Sequence, residues 1–176
     1  MGSNGDILIY YITLSIREID ESFIYEVGLE EIDRLKDRLS LIPENDLEQK
    51  TSKFFCFRAV NNISIAVSLN DIQWANFLWE KASNQNSDID NSERRETHFY
   101  FRHKPHRYST TLDKASEAAA LYFQLELGEF EETEFYSFLD VDGEEVLVRL
   151  NDIVLVEFDS LTLDEGFEEL KNEMTE

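Results

Sequence analysis

The sequence predicts an α+β protein built by internal duplication of a helix-plus-antiparallel-β-meander module, closed by an acidic C-terminal helix. Three observations predict it. Two stretches match without a gap, each holds a turn dipeptide between alternating apolar residues, and each follows a helical pattern.

The match runs from Phe54–Phe77 to Phe135–Phe158 at a constant separation of 81 residues. Identical pairs are Phe54/Phe135, Phe57/Phe138, Val60/Val141, Val67/Val148, Leu69/Leu150, Asn70/Asn151, Asp71/Asp152, Ile72/Ile153 and Phe77/Phe158, nine of 24 positions. Phe55/Tyr136 and Ile65/Val146 keep their chemistry. Asp142-Gly143 is the strongest short hairpin signal, because a type I′ turn needs positive φ at both central residues. Asn61-Asn62 holds the matching place, and Asn is the next best residue for that backbone. Beyond each turn, Ile63, Ile65, Val67 and Leu69, and Val146, Val148 and Leu150, alternate as a strand with one buried face. Asn70-Asp71 and Asn151-Asp152 close these strands. Their short polar side chains are expected to bond neighbouring backbone and fix a turn, leaving Ile72 and Ile153 in the core.

Leu29, Ile32, Leu35 and Leu39 recur at helical spacing, Glu30–Arg34 adds an i,i+4 pair, and Pro43 closes the segment. The same separation starts a second helix at Thr110-x-x-Asp113, carrying Leu112, Ala115, Ala119 and Tyr122. An aromatic strand leads each half, Ile7–Ile16 in one and Thr97–Arg102 in the other. Ser83–Ser92 is polar and lacks aromatics, as a linker does. The organisation expected is a first module over 6–82, a polar linker over 83–96, a second module over 97–160 and an acidic helix over 161–176. In that helix Phe167, Leu170 and Met174 recur at i, i+3 and i+7.

A helix, a strand, an Asp-Gly turn and a strand ending in Leu seven residues after the Gly resembles the first motif of Sm-like RNA-binding proteins. Asp142, Gly143 and Leu150 fit that spacing. Val148 stands where the motif has its second glycine, and the Asn that contacts a base has no counterpart. The resemblance covers about two dozen residues of each half. It implies a small barrel-like fold for each half and carries over no RNA site.

Charge narrows the partner. Thirty-eight Asp and Glu against 16 Lys and Arg leave −22, which repels phosphate backbones and anionic membranes and favours basic partners; the plain alternative is acidity that serves solubility alone. Residues 123–176 hold 18 acidic and two basic side chains, a net of −16, whereas residues 86–122 hold six of each.

The one basic cluster interleaves Arg94, Arg95, His98, Tyr100, Arg102, His103, Lys104, His106 and Arg107 with aromatics. Such a mixture suits a single-stranded nucleic acid, gripped by stacking and charge, and only residues 94–108 offer it. His103-x-x-His106 also has a metal-like spacing. The plain structural alternative is an edge strand presenting His98, Tyr100 and Arg102 on one face, followed by a solvated loop.

No other stretch carries chemistry. The single cysteine, Cys56, excludes an internal disulfide and a thiolate zinc cluster, and its apolar run Phe54–Phe57 predicts a buried, inert thiol. Asp140-x-Asp142-Gly143 places Gly at the fourth position of a calcium loop, where the sixth is needed, and lacks the closing Glu. Glu48-x-Lys50 after Asp37 mimics a nuclease triad, but Asp37 belongs to the amphipathic helix. Nucleophile elbow, phosphate loop and dinucleotide fingerprint are all missing. These residues point to a non-enzymatic protein, with no cofactor and no metal, that binds a basic protein as inhibitors, immunity proteins and nucleic-acid mimics do. The alternative is an RNA- or small-ligand-binding module using residues 94–108. Ile7–Ile16 is too short to span a bilayer and lacks the basic flank of a signal peptide, so a cytoplasmic location away from membranes is expected. The basic segment and the acidic C-terminal third are expected to meet within the chain or to pair two chains into a homodimer.

Overall fold

The structure, a computed structural model, describes residues 8–40, 53–81 and 96–175. These residues form ten strands, all paired antiparallel, and three helices, an α+β fold.

Ile12, Leu14 and Ile16 alternate along the first strand, β1 (Leu8–Ile16), and all three are buried on one face. β1 pairs with β2 (Ser22–Val27) on one side and with β5 (Ile72–Lys81) on the other. Helix α1 (Leu29–Ser40) follows β2 and buries Ile32 and Leu35 on one stripe, while Leu29 and Leu39, expected on the same stripe, are exposed. β3 (Phe54–Arg58) and β4 (Ile63–Ser68) make a hairpin, and a 3₁₀ turn over Leu69–Asp71 leads into β5. The order then repeats. β6 (Thr97–Phe101), β7 (Tyr108–Thr110), α2 (Ala115–Leu127), the hairpin of β8 (Phe135–Leu139) and β9 (Glu145–Arg149), a 3₁₀ turn over Leu150–Asp152, and β10 (Ile153–Asp159) succeed one another before α3 (Ser160–Glu173).

The strands make three sheets, ordered β2-β1-β5, β3-β4-β10-β6-β7 and β8-β9. In the five-stranded sheet β4 lies against β10, with Val67 opposite Leu155 and Ala66 opposite Val156. Both faces of this sheet are covered, so β10 reads as an unbroken apolar run, Ile153-Val154-Leu155-Val156. One face meets the β2-β1-β5 sheet and α1 in a core built on Ile12, Leu14, Phe57, Val67 and Leu155. The other meets α2, α3 and the β8-β9 hairpin in a second core built on Ala66, Leu121, Phe138, Val156 and Phe158. The β3-β4 hairpin thus lends one face to each core, whereas the β8-β9 hairpin buries only the face turned to the second.

Backbone bonds recur at matching places. Leu69 N–H donates to Lys53 O and Leu150 N–H to Glu134 O; Ala59 N–H donates to Ile63 O and Asp140 N–H to Glu144 O. Val60 N–H donates to Glu26 O and Val141 N–H to Thr111 O; Arg17 N–H donates to Asp71 O and Arg102 N–H to Asp152 O. Glu18 and His103, the residues after those arginines, both have positive φ, 68° and 59°.

Several expectations need correction. The second helix starts at Ala115, because Thr110 completes β7 and Leu112 is held by a bridge to Asp140. The hairpin tips are not type I′: only Asn62 (φ 62°) and Gly143 (φ 81°) have positive φ, each one residue after the turn proper. Gly143 N–H closes that turn on Asp140 O at 2.9 Å, while Asp140 Oδ1 accepts from the N–H groups of Asp142 and Glu144. The tip is therefore a type I turn followed by one left-handed residue, the three-residue alternative. β2 and β7 are not among the expected strands: β2 does alternate, with Phe23, Tyr25 and Val27 buried, whereas β7 has only three residues. Met174 is exposed at the end of α3, where Leu163, Gly166 and Phe167 make the packing stripe instead. Ile72 is half-buried where Ile153 is buried, since β5 is an edge strand and β10 a central one. Pro43, Glu48 and Lys50 lie outside the described residues. Among the described residues no helix is long and apolar enough to cross a membrane.

Candidate functional site

Arg94 and Arg95 lie outside the described residues, and the structure distributes the rest of the basic segment among three tasks. β6 runs between β10 and β7, so the segment is not an edge strand. Phe99 enters one core and Tyr100 the other, as successive residues of a strand must. The Tyr100 ring packs edge-on to Phe23 with centroids 4.9 Å apart. Its hydroxyl bonds the Arg107 guanidinium, while burial and the nearby Glu157 raise it above the ordinary tyrosine range. His98 is half-buried with Nδ1 2.8 Å from Ser109 Oγ, and burial followed by the Arg107 charge lowers its pKa. Both effects disfavour the imidazolium.

The turn after β6 is held by acids. His103 Nδ1 lies 2.7 Å from Glu18 Oε2, and the His103 N–H donates to the same carboxylate at 3.2 Å. Arg102 grips Asp71 with two bonds, Nη1 to Oδ1 at 2.6 Å and Nη2 to Oδ2 at 3.0 Å. Ser68 Oγ donates to Asp71 Oδ2 at 2.6 Å, which completes the ligation of a buried carboxylate. The expectation that Asp71 bonds neighbouring backbone is corrected here: its partners are a guanidinium from the other half and a hydroxyl. Asp152, its counterpart, is half-exposed and 3.6 Å from Arg149 Nε. Lys104 and His106 remain exposed on the loop. Among the described residues no three His, Cys, Asp or Glu side chains converge as a metal-binding group.

Beside the Arg102–Asp71 pair is a cavity of about 70 Å³, lined by Lys53, Ser68, Asn70, Arg102, Asn151 and Ile153 among others. Asn70 and Asn151 come from the two matching triplets and meet there. Its size suits a few waters and excludes an organic ligand. A larger cleft of about 270 Å³ lies between α1, β3 and α2, with Arg34, Asp37, Arg38, Cys56 and Glu126 on its walls. Arg34 there is committed to Glu31 at 2.6 Å and stacks 5.3 Å over Phe55. Burial pushes the Cys56 thiol up to about 12, so it supplies no nucleophile at neutral pH.

The acids divide by burial. Asp140 ties the β8-β9 turn, and Asp159 caps α3 by accepting from Thr162 N–H at 2.9 Å and Thr162 Oγ1 at 2.8 Å. Along α3, by contrast, Asp164, Glu165, Glu168 and Glu173 are exposed, Asp164 paired with Arg58 at 2.6 Å and Glu168 with Lys171 at 2.6 Å. Sequence reading singled out Arg102 for an external polyanion and missed that Asp71 claims it. The signal was present in the repeated Asn-Asp-Ile, but nothing in one dimension joins residue 71 to residue 102.

Compared with protein-family models, curated proteins and solved structures, the chain matches none.

Proposed function

We propose that the chain is a non-enzymatic interaction protein, made of two copies of one module, whose acidic surface binds a basic protein. What supports the two-module reading is the recurrence of element order and backbone bonds, over stretches already matched in sequence. The Sm-like spacing around Asp142-Gly143 belongs to this reading as a proposal about the form of each half and adds no RNA site.

The single observation that carries the partner reading is an asymmetry of commitment. The basic segment is spent internally, with Arg102 on Asp71, His103 on Glu18 and Tyr100 in the core. The acidic face of α3 is spent only in part: Asp164 holds Arg58 and Glu168 holds Lys171 in exposed pairs, and its outward carboxylates still outnumber these cations. A surface of one sign, turned outward in a protein of −22, steers and holds a partner of the other sign. Nucleic acid through residues 94–108 is the competing reading, and among the described residues it has Lys104 and His106 left, with Arg107 bonded to Tyr100. The test is retention of basic proteins and of labelled oligonucleotides on immobilised chain at low and high salt. A variant carrying Glu132→Gln, Glu165→Gln, Glu168→Gln and Glu173→Gln serves as the comparison. The expected result is salt-sensitive retention of basic protein that the variant loses, with oligonucleotide passing through. Oligonucleotide retained equally by both forms overturns it.

A further inference from the structure

Three pairs of residues, each separated by 81 positions, differ sharply in burial. Phe54, Ala66 and Leu155 are 4%, 0% and 0% exposed, whereas Phe135, Leu147 and Trp74 are 47%, 59% and 46% exposed. The first three share a location. Ala66 and Leu155 line the contact at which β4 of one half pairs with β10 of the other, with Phe54 on β3 beside β4; Phe54 and Ala66 reach into the second core and Leu155 into the first. Their counterparts lie on β8, β9 and β5.

Strand edges repeat this asymmetry. β2 and β7, and β3 and β8, each have a free edge in both halves. β10 has neighbours on both sides, but β5 pairs only with β1; β4 has neighbours on both sides, but β9 pairs only with β8. Among the described residues, β5 and β9 are thus the two strands lacking a neighbour that their counterparts possess. A long edge bearing Trp74, Leu78 and Trp79 without a partner is an invitation to pairing.

We infer that β9 of one copy of this chain pairs antiparallel with β5 of the next, reproducing between molecules the β4–β10 contact made within each. The inference rests on the two-module reading proposed above. Moving the internal register by 81 residues places Trp74 opposite Val148, Ala75 opposite Leu147 and Asn76 opposite Val146. The faces agree with that register. Val148 already belongs to the second core and Ala75 packs on the first, so Leu147 would enter the first core of the neighbouring copy beside Ala75, as Ala66 enters the second beside Val156. One further contact has its template: Arg102 reaches across to Asp71, and exposed Arg17 of the next copy is placed to reach half-exposed Asp152. Two unlike surfaces meet, so the association is head-to-tail and can extend. Copies of like charge repel, so salt strengthens this association, the reverse of a bridge between basic and acidic patches.

The test uses two full-length variants at exposed positions, Trp74→Lys to block the β5 edge and Leu147→Lys to block the β9 edge, each checked for unchanged melting. Sedimentation over concentration and salt should show the parent chain associating, more at high salt, and each variant alone as a monomer. Mixed together, the variants should form a 1:1 heterodimer that grows no further, because each retains the edge the other lacks. An isologous contact gives the opposite pattern: one variant alone still dimerises and mixing adds nothing. That result, or a parent chain monomeric throughout, overturns the inference. An intrachain control uses Ala66→Cys with Val156→Cys, in a Cys56→Ser background. If that disulfide forms while the mixed variants stay monomeric, the head-to-tail pairing fails and the two-module reading survives. If the disulfide does not form either, both fall together.

Discussion

Gly166 of α3 sits so close to Ala115 of α2 that a Cβ built on it would stand 2.1 Å from the Ala115 carbonyl oxygen. No other residue type permits that approach without moving a helix. Ala119 Cβ, at 2.9 Å, closes the remaining space. Gly166→Ala should therefore destabilise the protein by about 1–3 kcal/mol through overpacking, read as a lower urea midpoint. An unchanged midpoint would mean that α3 does not dock on α2 as described. For the same reason, deleting α3 is a poor way to remove its charge, since Leu163 and Phe167 leave the second core with it.

Arg102 and Asp71 supply the second prediction. Arg102→Met leaves a buried carboxylate with only the Ser68 hydroxyl, and should cost about 3 kcal/mol. Adding Asp71→Asn should restore part of that loss, because the orphaned charge goes with it. A double-mutant cycle in urea measures the coupling, and additive single effects would show that the two side chains do not interact.

Alkali should unfold the protein by ionising buried groups. Burial first, and then the Glu157 carboxylate 2.6 Å away, hold the Tyr25 hydroxyl well above the ordinary range. Burial also raises Tyr122, and it pushes Tyr136 and Cys56 each up to about 12. Because these pKa values are raised in the folded state, their contribution is intact below the unfolded values of about 8.5–10 and falls as pH climbs through the folded ones. Melting temperature should hold to about pH 9 and drop steeply above it. Tyr25→Phe should flatten that drop between about pH 9 and 11, and a slope identical to the parent would refute the assignment.

The hairpin tips give a comparison internal to the chain. Gly143 has φ 81° and open space where a Cβ would go, so Gly143→Val carries a backbone penalty without a clash. It should cost about 1–3 kcal/mol. Asn62 already tolerates φ 62°, so Asn62→Gly should change stability by less than about 1 kcal/mol in either direction. Equal losses at both tips would show that positive φ is not what those residues supply.

Local order was legible from the residues themselves. Period-two alternation located β4 and β9, the 3.6-residue stripe located α1, and the repeated Leu-Asn-Asp fell on the two 3₁₀ turns, because each signal depends only on neighbours in the chain. The matched stretches also showed that Asn62 and Gly143 occupy the same kind of turn, although not which type, since turn type follows from how the strands beyond it are paired. β7, three residues long, is too short to show a period and is held by β6, whereas β2 carries its own alternation of Phe23, Tyr25 and Val27.

Sequence alone therefore determined the α+β class, the element signals within the matched stretches and the sign of the surface, all of which follow from composition and short-range spacing. Only the tertiary structure decided that β4 pairs with β10 while, among the described residues, β5 and β9 keep an edge free, and that Arg102 belongs to Asp71 rather than to an external polyanion. The physical reason is the same in both cases. Strand partners and buried ion pairs are chosen by which surfaces the whole chain brings together, and identical residues 81 positions apart, such as Phe54 and Phe135, meet opposite fates when only one of them finds a neighbour.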